Sequence, residues 1–142
     1  MIESDAKPFD TVAAVGVLVD RANFLVIKRS QFVIAPGKIC FPGGRMEAGE
    51  TIEDALVREY QEELGIQIKP VRQIWESVTS WRCKVHWWQV TADTFEFQID
   101  PEEVEAFAWM RMEELIQCGD LLESNREFLE RVCAGELKVH NG

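Results

Sequence analysis

Positive charge is what this sequence is short of: 15 Lys and Arg stand against 25 Asp and Glu, a formal net charge of −10. A nucleic-acid polymer is held largely by Lys and Arg on its phosphates, so this surface is not built for one. A small phosphorylated ligand is not excluded, because a few local donors and a divalent cation can hold it whatever the net charge. The carboxylate excess suits cation binding and also plain solubility. Paired cysteines are missing as well. Cys40, Cys83, Cys118 and Cys133 lie far apart without a CxxC spacing, and His86 and His140 are not beside them. That argues against a zinc site and leaves buried, reduced thiols in the core, as expected of a cytoplasmic protein. No apolar run is long enough to cross a bilayer, and the opening MIESDAKPFD is acidic and lacks the apolar segment of a secretory signal. Neither GxGxxG nor GxxxxGKS occurs, which removes the Rossmann and P-loop phosphate cradles. With no repeat or low-complexity linker, the 142 residues are expected to form one domain, 1–142.

What is present is enough for a core: 46% of the residues are hydrophobic, five of them Trp and eight Phe. TVAAVGVLVD (11–20) reads as a largely buried strand and NFLVIKR (23–29) as its antiparallel partner, joined at Asp20–Asn23. SQFVIAPGKIC (30–40) reads as a loop around Pro36-Gly37, with a short strand at 39–41 running into a Pro42-Gly43-Gly44 turn. Further strand-like runs lie at 67–77, 84–91, 94–99 and 106–110. MEELIQ and SNREFLERVC read as helices, the second with Ser124 and Glu127 spaced as a capping box. Strands and helices mix without a βαβ rhythm, so the expected fold is α/β of the α+β kind, a mixed sheet packed by helices.

The main helix is the most informative segment. Thr51 is a candidate N-cap, with Asp54 three residues on in the capping-box position, and Gly65 stands where a C′ glycine would stop it. Ile52, Leu56, Val57, Tyr60 and Leu64 fall on one side at the helical period. Glu59, Glu62 and Glu63 occupy i, i+3 and i+4 on an adjoining face. Like charges at that spacing repel, at a few tenths of a kcal/mol if solvated. A metal site would need them, and hard oxygen ligands suit Mg²⁺ or Mn²⁺. Arg58 is placed to pair with Glu50 just before the cap. Gly43-Gly44 would let backbone approach a ligand and offer a carbonyl. A cation held so would neutralise phosphoryl charge and acidify a bound water, and a carboxylate beside it would accept the water's proton.

Gly44, five residues, Glu50, seven residues, then Arg58-Glu59-Tyr60-Gln61-Glu62-Glu63-Leu64-Gly65-Ile66 resembles the Nudix box. Seven fixed residues at background frequencies of 5–7% would coincide at roughly 10⁻⁹ per start point. Tyr60 departs from the family's usual aliphatic residue while still filling an apolar helix position. The strand hairpin ending in Arg29, the FPGG lead-in and a late W…EL segment extend the resemblance over 11–115. It implies the Nudix fold, a mixed sheet sandwiched between helices, and hydrolysis of a nucleoside diphosphate linked to another moiety with Mg²⁺ or Mn²⁺. It implies metal ligation by Glu59, Glu62, Glu63, the Gly43 carbonyl and Glu103, with Glu102 and Glu105 as rivals for that last place. Glu59, Glu62 and Arg58 make up the catalytic set, one of the two glutamates taking the proton, and Glu50 supports Arg58. Arg29 and Gly44 are assigned to substrate, with a surface salt bridge the competing role for Arg29. One of Trp75, Trp81, Trp87 and Trp88 is a candidate to stack on a base.

The segments that mark NADH-cleaving and ADP-ribose-cleaving members are not seen, and the full coenzyme A motif is missing. The compact FPGGRMEAGET run is most similar to members acting on nucleoside triphosphates, oxidised ones included. Nucleotide-sugar, ADP-ribose or coenzyme A cleavage remains an alternative. So do a non-hydrolytic binding module, a generic acidic interaction domain, and an isoprenoid-diphosphate isomerase using Cys40. The expected partner is a small nucleotide or other diphosphate, without nucleic-acid polymer or membrane. Homodimers are common in the family.

Overall fold

The computed structural model describes residues 10–141. The first nine residues of the acidic opening segment, and the outer limits of the 1–142 domain, lie outside that range. Strand β1 (Thr11–Asp20) and strand β2 (Asn23–Arg29) form the expected hairpin, paired Asp20↔Asn23 and Val19↔Phe24. Its two-residue turn needs φ > 0 at both positions, and Arg21 and Ala22 adopt φ 51° and 66°. Then follow β3 (Ile39–Cys40), β4 (Gly43–Arg45), α1 (Ile52–Leu64), β5 (Ile68–Val78), β6 (Cys83–Ala92), β7 (Val104–Met110), α2 (Met112–Ile116) and α3 (Glu123–Cys133).

The sheet is mixed. Its order is β3-β2-β1-β6-β5, with β4 on β1 and β7 on β2. The β1–β6 pair is parallel, from Thr11↔Cys83 to Leu18↔Val90. The period-2 alternation of β1 and β2 divides the core in two. Ala14, Leu18, Leu25 and Ile27 pack with Leu56, Tyr60 and Leu64 of α1. Val17, Val19, Phe24 and Val26 pack with Leu115 of α2 and with Phe128 and Leu129 of α3. Helices therefore cover both faces, the sandwich arrangement expected of the Nudix fold.

Three local expectations are corrected. Residues 94–99 are not a strand. Their backbone turns to the end of α1, where the Gln98 N–H donates to the Leu64 carbonyl at 2.7 Å, and Phe95 and Phe97 pack on Trp109 at 5.0 and 6.1 Å between ring centroids. The alternating aromatics seal an edge of the core in place of a ladder. The Ser124/Glu127 capping box does not form. Helix α3 starts at Glu123, with Leu122 as N-cap and no side-chain cap bond. The Leu122 N–H is bonded to the Ile39 carbonyl at 2.8 Å, and the Ser124 hydroxyl accepts from Asn125 Nδ2 at 3.2 Å. A tertiary bond to β3 thus overrides the local capping preference. Finally, Gly43 and Gly44 do not make a free turn but join the sheet, Val15↔Gly43 and Ala14↔Gly44.

Candidate functional site

Helix α1 is fixed at both ends as its sequence demands. Thr51 Oγ1 accepts the Asp54 N–H at 3.1 Å and Asp54 Oδ2 accepts the Thr51 N–H at 3.4 Å. Gly65 ends the helix at φ 66°, its N–H on the Gln61 carbonyl at 3.0 Å. Between those ends the apolar stripe enters the core and carries two carboxylates with it. Glu59 and Glu63 are buried, while the Glu62 side chain is 45% exposed.

Arg58 ties this face to the preceding loop. Its Nε and Nη2 donate to Glu50 Oε2 and Oε1 at 2.6 and 3.0 Å, the bidentate geometry that makes such pairs strong. Nη1 donates to Glu59 Oε1 at 2.9 Å and Glu62 Oε2 at 3.2 Å, and Nη2 to the Arg45 carbonyl at 3.0 Å. Glu50 also accepts the Glu47 N–H at 2.8 Å. The Arg58 guanidinium, helped by that N–H, holds the Glu50 carboxyl below its ordinary range. The expected Arg58–Glu50 pair is therefore formed.

The remaining carboxylates are crowded and short of partners. Burial, followed by the adjacent Glu59 carboxylate and then Glu103, pushes the Glu63 carboxyl well up, against the Gly43 N–H directed at it. Burial and the charges of Glu59 and Glu62 push Glu103 up as well. Glu63 Oε1 and Glu103 Oε2 are buried without a hydrogen-bond partner. Buried polar atoms are normally satisfied, and carboxylates that share a site resist ionising together. Glu59, Glu63 and Glu103 line a cleft of about 420 Å³ with Gly43, Gly44 and Arg29. No three His, Cys, Asp or Glu among the described residues form a ready-made coordination cage; Arg58 takes the Glu59 and Glu62 oxygens that a cation would take. An all-oxygen donor set with two unpartnered buried oxygens fits a hard divalent cation.

Gly43 is sterically required by backbone, whereas a side chain at Gly44 would displace the Glu59 carboxylate. A Cβ on Gly44 would stand 2.5 Å from Glu59 Oε1, and one on Gly43 2.3 Å from the Ala14 carbonyl oxygen. Of the three acidic residues at 102–105, only Glu103 lines the cleft. Glu105 pairs with Lys28 at 3.0 Å, and Glu102 lends its carbonyl to the Ser30 hydroxyl at 2.5 Å. Arg29 makes no ion pair among the described residues; its Nε donates to the Ile34 carbonyl at 2.6 Å. Cys40, also on this face, is fully buried, and burial pushes its thiol up to about 11, which does not suit a proton donor at neutral pH.

A second cavity, of about 450 Å³, adjoins the cleft and shares Arg29, Ile34, Gly43, Gly44 and Arg45 with it. Its further walls include Val15, Phe41, Val85, Trp81 and Asn125. Trp81, 57% exposed, is the tryptophan of the four that reaches this cavity; Trp87 is buried and Trp88 Nε1 donates to Gln73 at 3.1 Å. Asn125 is buried and uses Oδ1 to accept the Phe41 N–H at 2.8 Å. The sequence reading missed Asn125, Arg45 and Ile34. No local signal marks them, because only the fold brings β1, the 30–38 loop, the β5–β6 turn and α3 to one cavity.

The NUDIX domain family profile matches residues 10–132. The chain is 46% identical over 54 residues to the 8-oxo-dGTP diphosphatase of Escherichia coli, covering 37% of this chain and 42% of that protein. It is 46% identical over 57 residues to the ADP-ribose pyrophosphatase of Methanocaldococcus jannaschii, covering 39% of this chain and 32% of that one. The matches thus span less than half of either relative. Among solved structures, the MutT protein of Methanosarcina mazei Go1 superposes with a TM-score of 0.73 at 21% identity, over 90% of this chain and 96% of that one. At that identity the likeness bears on the fold alone.

Proposed function

Because the chain belongs to the NUDIX domain family, we propose that it is a divalent-metal-dependent pyrophosphohydrolase cleaving the diphosphate linkage of a nucleoside triphosphate, oxidised forms included, or a related nucleotide. The observation that carries this is the pair of unpartnered buried oxygens, Glu63 Oε1 and Glu103 Oε2, in a cleft that opens beside a largely apolar cavity. Glu59, Glu62, Glu63 and Glu103, with the Gly43 carbonyl, would hold Mg²⁺ or Mn²⁺. When bound, the metal supplies charge neutralisation at the phosphoryl oxygens and a more acidic water.

The chain's own residues do the rest. Glu59 or Glu62 accepts the proton of the attacking water. Arg58, clamped on Glu50, keeps the helix and the 45–50 loop in register so that Glu59 stays in the cleft and Glu62 beside it is held by Arg58 Nη1. Arg29 stands where cleft and cavity meet and is free of carboxylate partners among the described residues, so it is placed to take a phosphate. Gly44 lets the backbone pass under that phosphate. The adjoining cavity takes the base. Trp81 and Phe41 offer aromatic surface and Ile34 closes the opposite side, while Asn125 and the Arg45 side chain are the polar groups within reach. An apolar cavity with few polar groups is what a nucleobase site requires. The relatives' names divide between an oxidised nucleotide and ADP-ribose. The 450 Å³ cavity is of a size for one base and sugar, which both classes carry; the compact FPGGRMEAGET run is what favours the triphosphate.

The test is product analysis with Mg²⁺ over canonical and oxidised nucleoside triphosphates, nucleotide sugars, ADP-ribose, NADH, dinucleoside polyphosphates and coenzyme A, with Glu62→Gln alongside. Release of a nucleoside monophosphate and pyrophosphate from one triphosphate class, lost in the variant, is expected. Cleavage confined to ADP-ribose would move the substrate class. Ligand binding without cleavage under Mg²⁺ and Mn²⁺ would make the chain a binding module.

A further inference from the structure

We propose that Tyr60 is a positioning residue for the metal site: its hydroxyl closes a ring of hydrogen bonds that sets the Gly43 backbone against Glu59 and Glu63. The inference rests on the metal-binding function proposed above. It concerns the one position at which the box-like stretch carries a phenol where an aliphatic side chain would fill the same apolar space.

The ring can be followed bond by bond. Tyr60 is fully buried and its hydroxyl donates to the Gly16 carbonyl of β1 at 2.8 Å. The Gly16 N–H donates to the Pro42 carbonyl at 2.9 Å. The next residue, Gly43, directs its N–H at the Glu63 carboxylate, and Glu63 lies one helical turn from Tyr60. The path therefore leaves α1 through a side chain, crosses β1, returns through the 42–43 backbone and re-enters α1 at a candidate ligand. Its side-chain link to β1 is the Tyr60 hydroxyl. An aliphatic residue would keep the packing and the Arg58 bonds to Glu50 and the Arg45 carbonyl, but would remove the bond that fixes the height of this turn of α1 against β1 and, through Pro42, against Gly43.

The contact is also shaped for this. A Cβ on Gly16 would stand 2.5 Å from Tyr60 Cε1 and 2.8 Å from its hydroxyl oxygen. Glycine at 16 is what lets the ring lie flat enough against β1 to reach the carbonyl. On the far side, Gly43 lies so close to the Ala14 backbone that no Cβ would fit, and Gly44 lies close against the Glu59 carboxylate. With both partners wedged, a small displacement of α1 cannot be absorbed locally and would appear as a changed distance between the Gly43 carbonyl and the glutamates. Coordination by hard cations is sensitive to that distance, most of all for Mg²⁺.

The test is Mn²⁺ binding followed by the electron paramagnetic resonance of free Mn²⁺, with no substrate present. It compares wild type, Tyr60→Phe, Glu59→Gln and Leu56→Ala. Leu56 is a fully buried residue one turn earlier on the same stripe but has no place in the ring, so it reports what destabilisation alone does. We expect Tyr60→Phe to weaken Mn²⁺ binding about tenfold and Leu56→Ala to leave it within twofold, whatever their melting temperatures. Equal Mn²⁺ affinity for Tyr60→Phe and wild type, or equal weakening in Tyr60→Phe and Leu56→Ala, overturns the positioning role while the metal site stands. Wild type that binds no Mn²⁺ in a Glu59-dependent way overturns the metal site and the inference with it. Should Tyr60→Phe not fold, the chain's single tyrosine allows 3-fluorotyrosine to be placed at this position alone. Its lone ¹⁹F resonance should then shift on Mg²⁺ addition, and a resonance that Mg²⁺ does not move overturns the proposal.

Discussion

The two faces of the sheet are packed in opposite styles. On the α3 side the core is aromatic. Trp87 stacks on Phe128 with 4.6 Å between centroids, Phe41 meets Phe128 edge-on at 5.7 Å, and Trp75 lies 6.1 Å from Trp87. Its indole donor is satisfied, Trp87 Nε1 giving to Ser77 at 3.0 Å. On the α1 side the same depth of burial is shared with Glu59 and Glu63, and two carboxylate oxygens of the site remain without partners. Buried carboxylates are costly unless paired or ligated. Both faces bury an apolar cluster, but the α1 face in addition holds its carboxylates in an electrostatically unfavourable arrangement that a cation would relieve. Helix α1 is held by the packing of Ala55, Leu56, Tyr60 and Leu64, all fully buried, and its orientation is fixed further by the Arg58–Glu50 clamp and the Tyr60 hydroxyl.

That contrast can be broken from either side. The largest effect is expected from Glu59→Gln, which should lower turnover about 10³-fold, equivalent to roughly 4 kcal/mol in the barrier. Its melting temperature should stay near wild type, because the loss of one Arg58 bond is offset by relief of the carboxylate crowding. Activity assays beside thermal unfolding check this, and a collapse in stability would show the buried charge to be structural. The reverse case is Leu129→Ala on α3. It removes a fully buried side chain and should cost about 3 kcal/mol of unfolding free energy in urea. Turnover per folded molecule should hold within twofold. An equal loss of turnover would mean the two faces are coupled more tightly than their packing suggests.

Trp81→Ala probes the border between the faces, where the cavity touches both. An exposed rim residue contributes little to stability, so unfolding should change by less than about 0.5 kcal/mol. KM should rise about tenfold with kcat nearly constant, the signature of lost uniform binding. An unchanged KM would move the base elsewhere.

The α1 face was the more legible of the two in the sequence. Its signals are local: a cap and a C′ glycine separated by one helix length, an apolar stripe, and three glutamates at helical spacing. Local signals of this kind depend on the backbone period alone, and the structure keeps each of them. Strand pairs joined by short turns were legible for the same reason, as at Asp20–Asn23. What could not be read is what the topology assembles. Glu103 could not be told from Glu102 and Glu105, because the choice depends on β7 pairing with β2 and on Lys28 claiming Glu105. Asn125 looked like any polar residue in a helix until the fold set it against the Phe41 N–H. The capping box at Ser124 failed because the Leu122 N–H had a better partner in β3, a competition that local sequence does not contain.

The smallest effect is expected from a pair of thiols, one buried in each face. Cys40 packs with the α1 core and Cys83 with the α3 core, while Cys133 is exposed. Iodoacetamide at pH 8 should modify Cys133 and leave Cys40 intact until the chain unfolds, which peptide mass mapping would read. The pH dependence follows from the same burial. Desolvation, and then the Glu63 charge against the opposing Arg29 charge, raise the Cys40 thiol from 9.0 to about 11. The folded state therefore keeps a proton that the unfolded chain releases. This contribution is fully present below about pH 9 and is lost as pH rises towards 11. Between pH 9 and 10 the loss should be about 1 kcal/mol, and in Cys40→Ala the slope of stability against pH should flatten by that amount. If the slope is unchanged, the alkaline sensitivity belongs to Tyr60, a buried phenol of this face whose hydroxyl burial also raises. In that event the hydrogen bond to Gly16, more than the thiol beside it, is what alkali undoes.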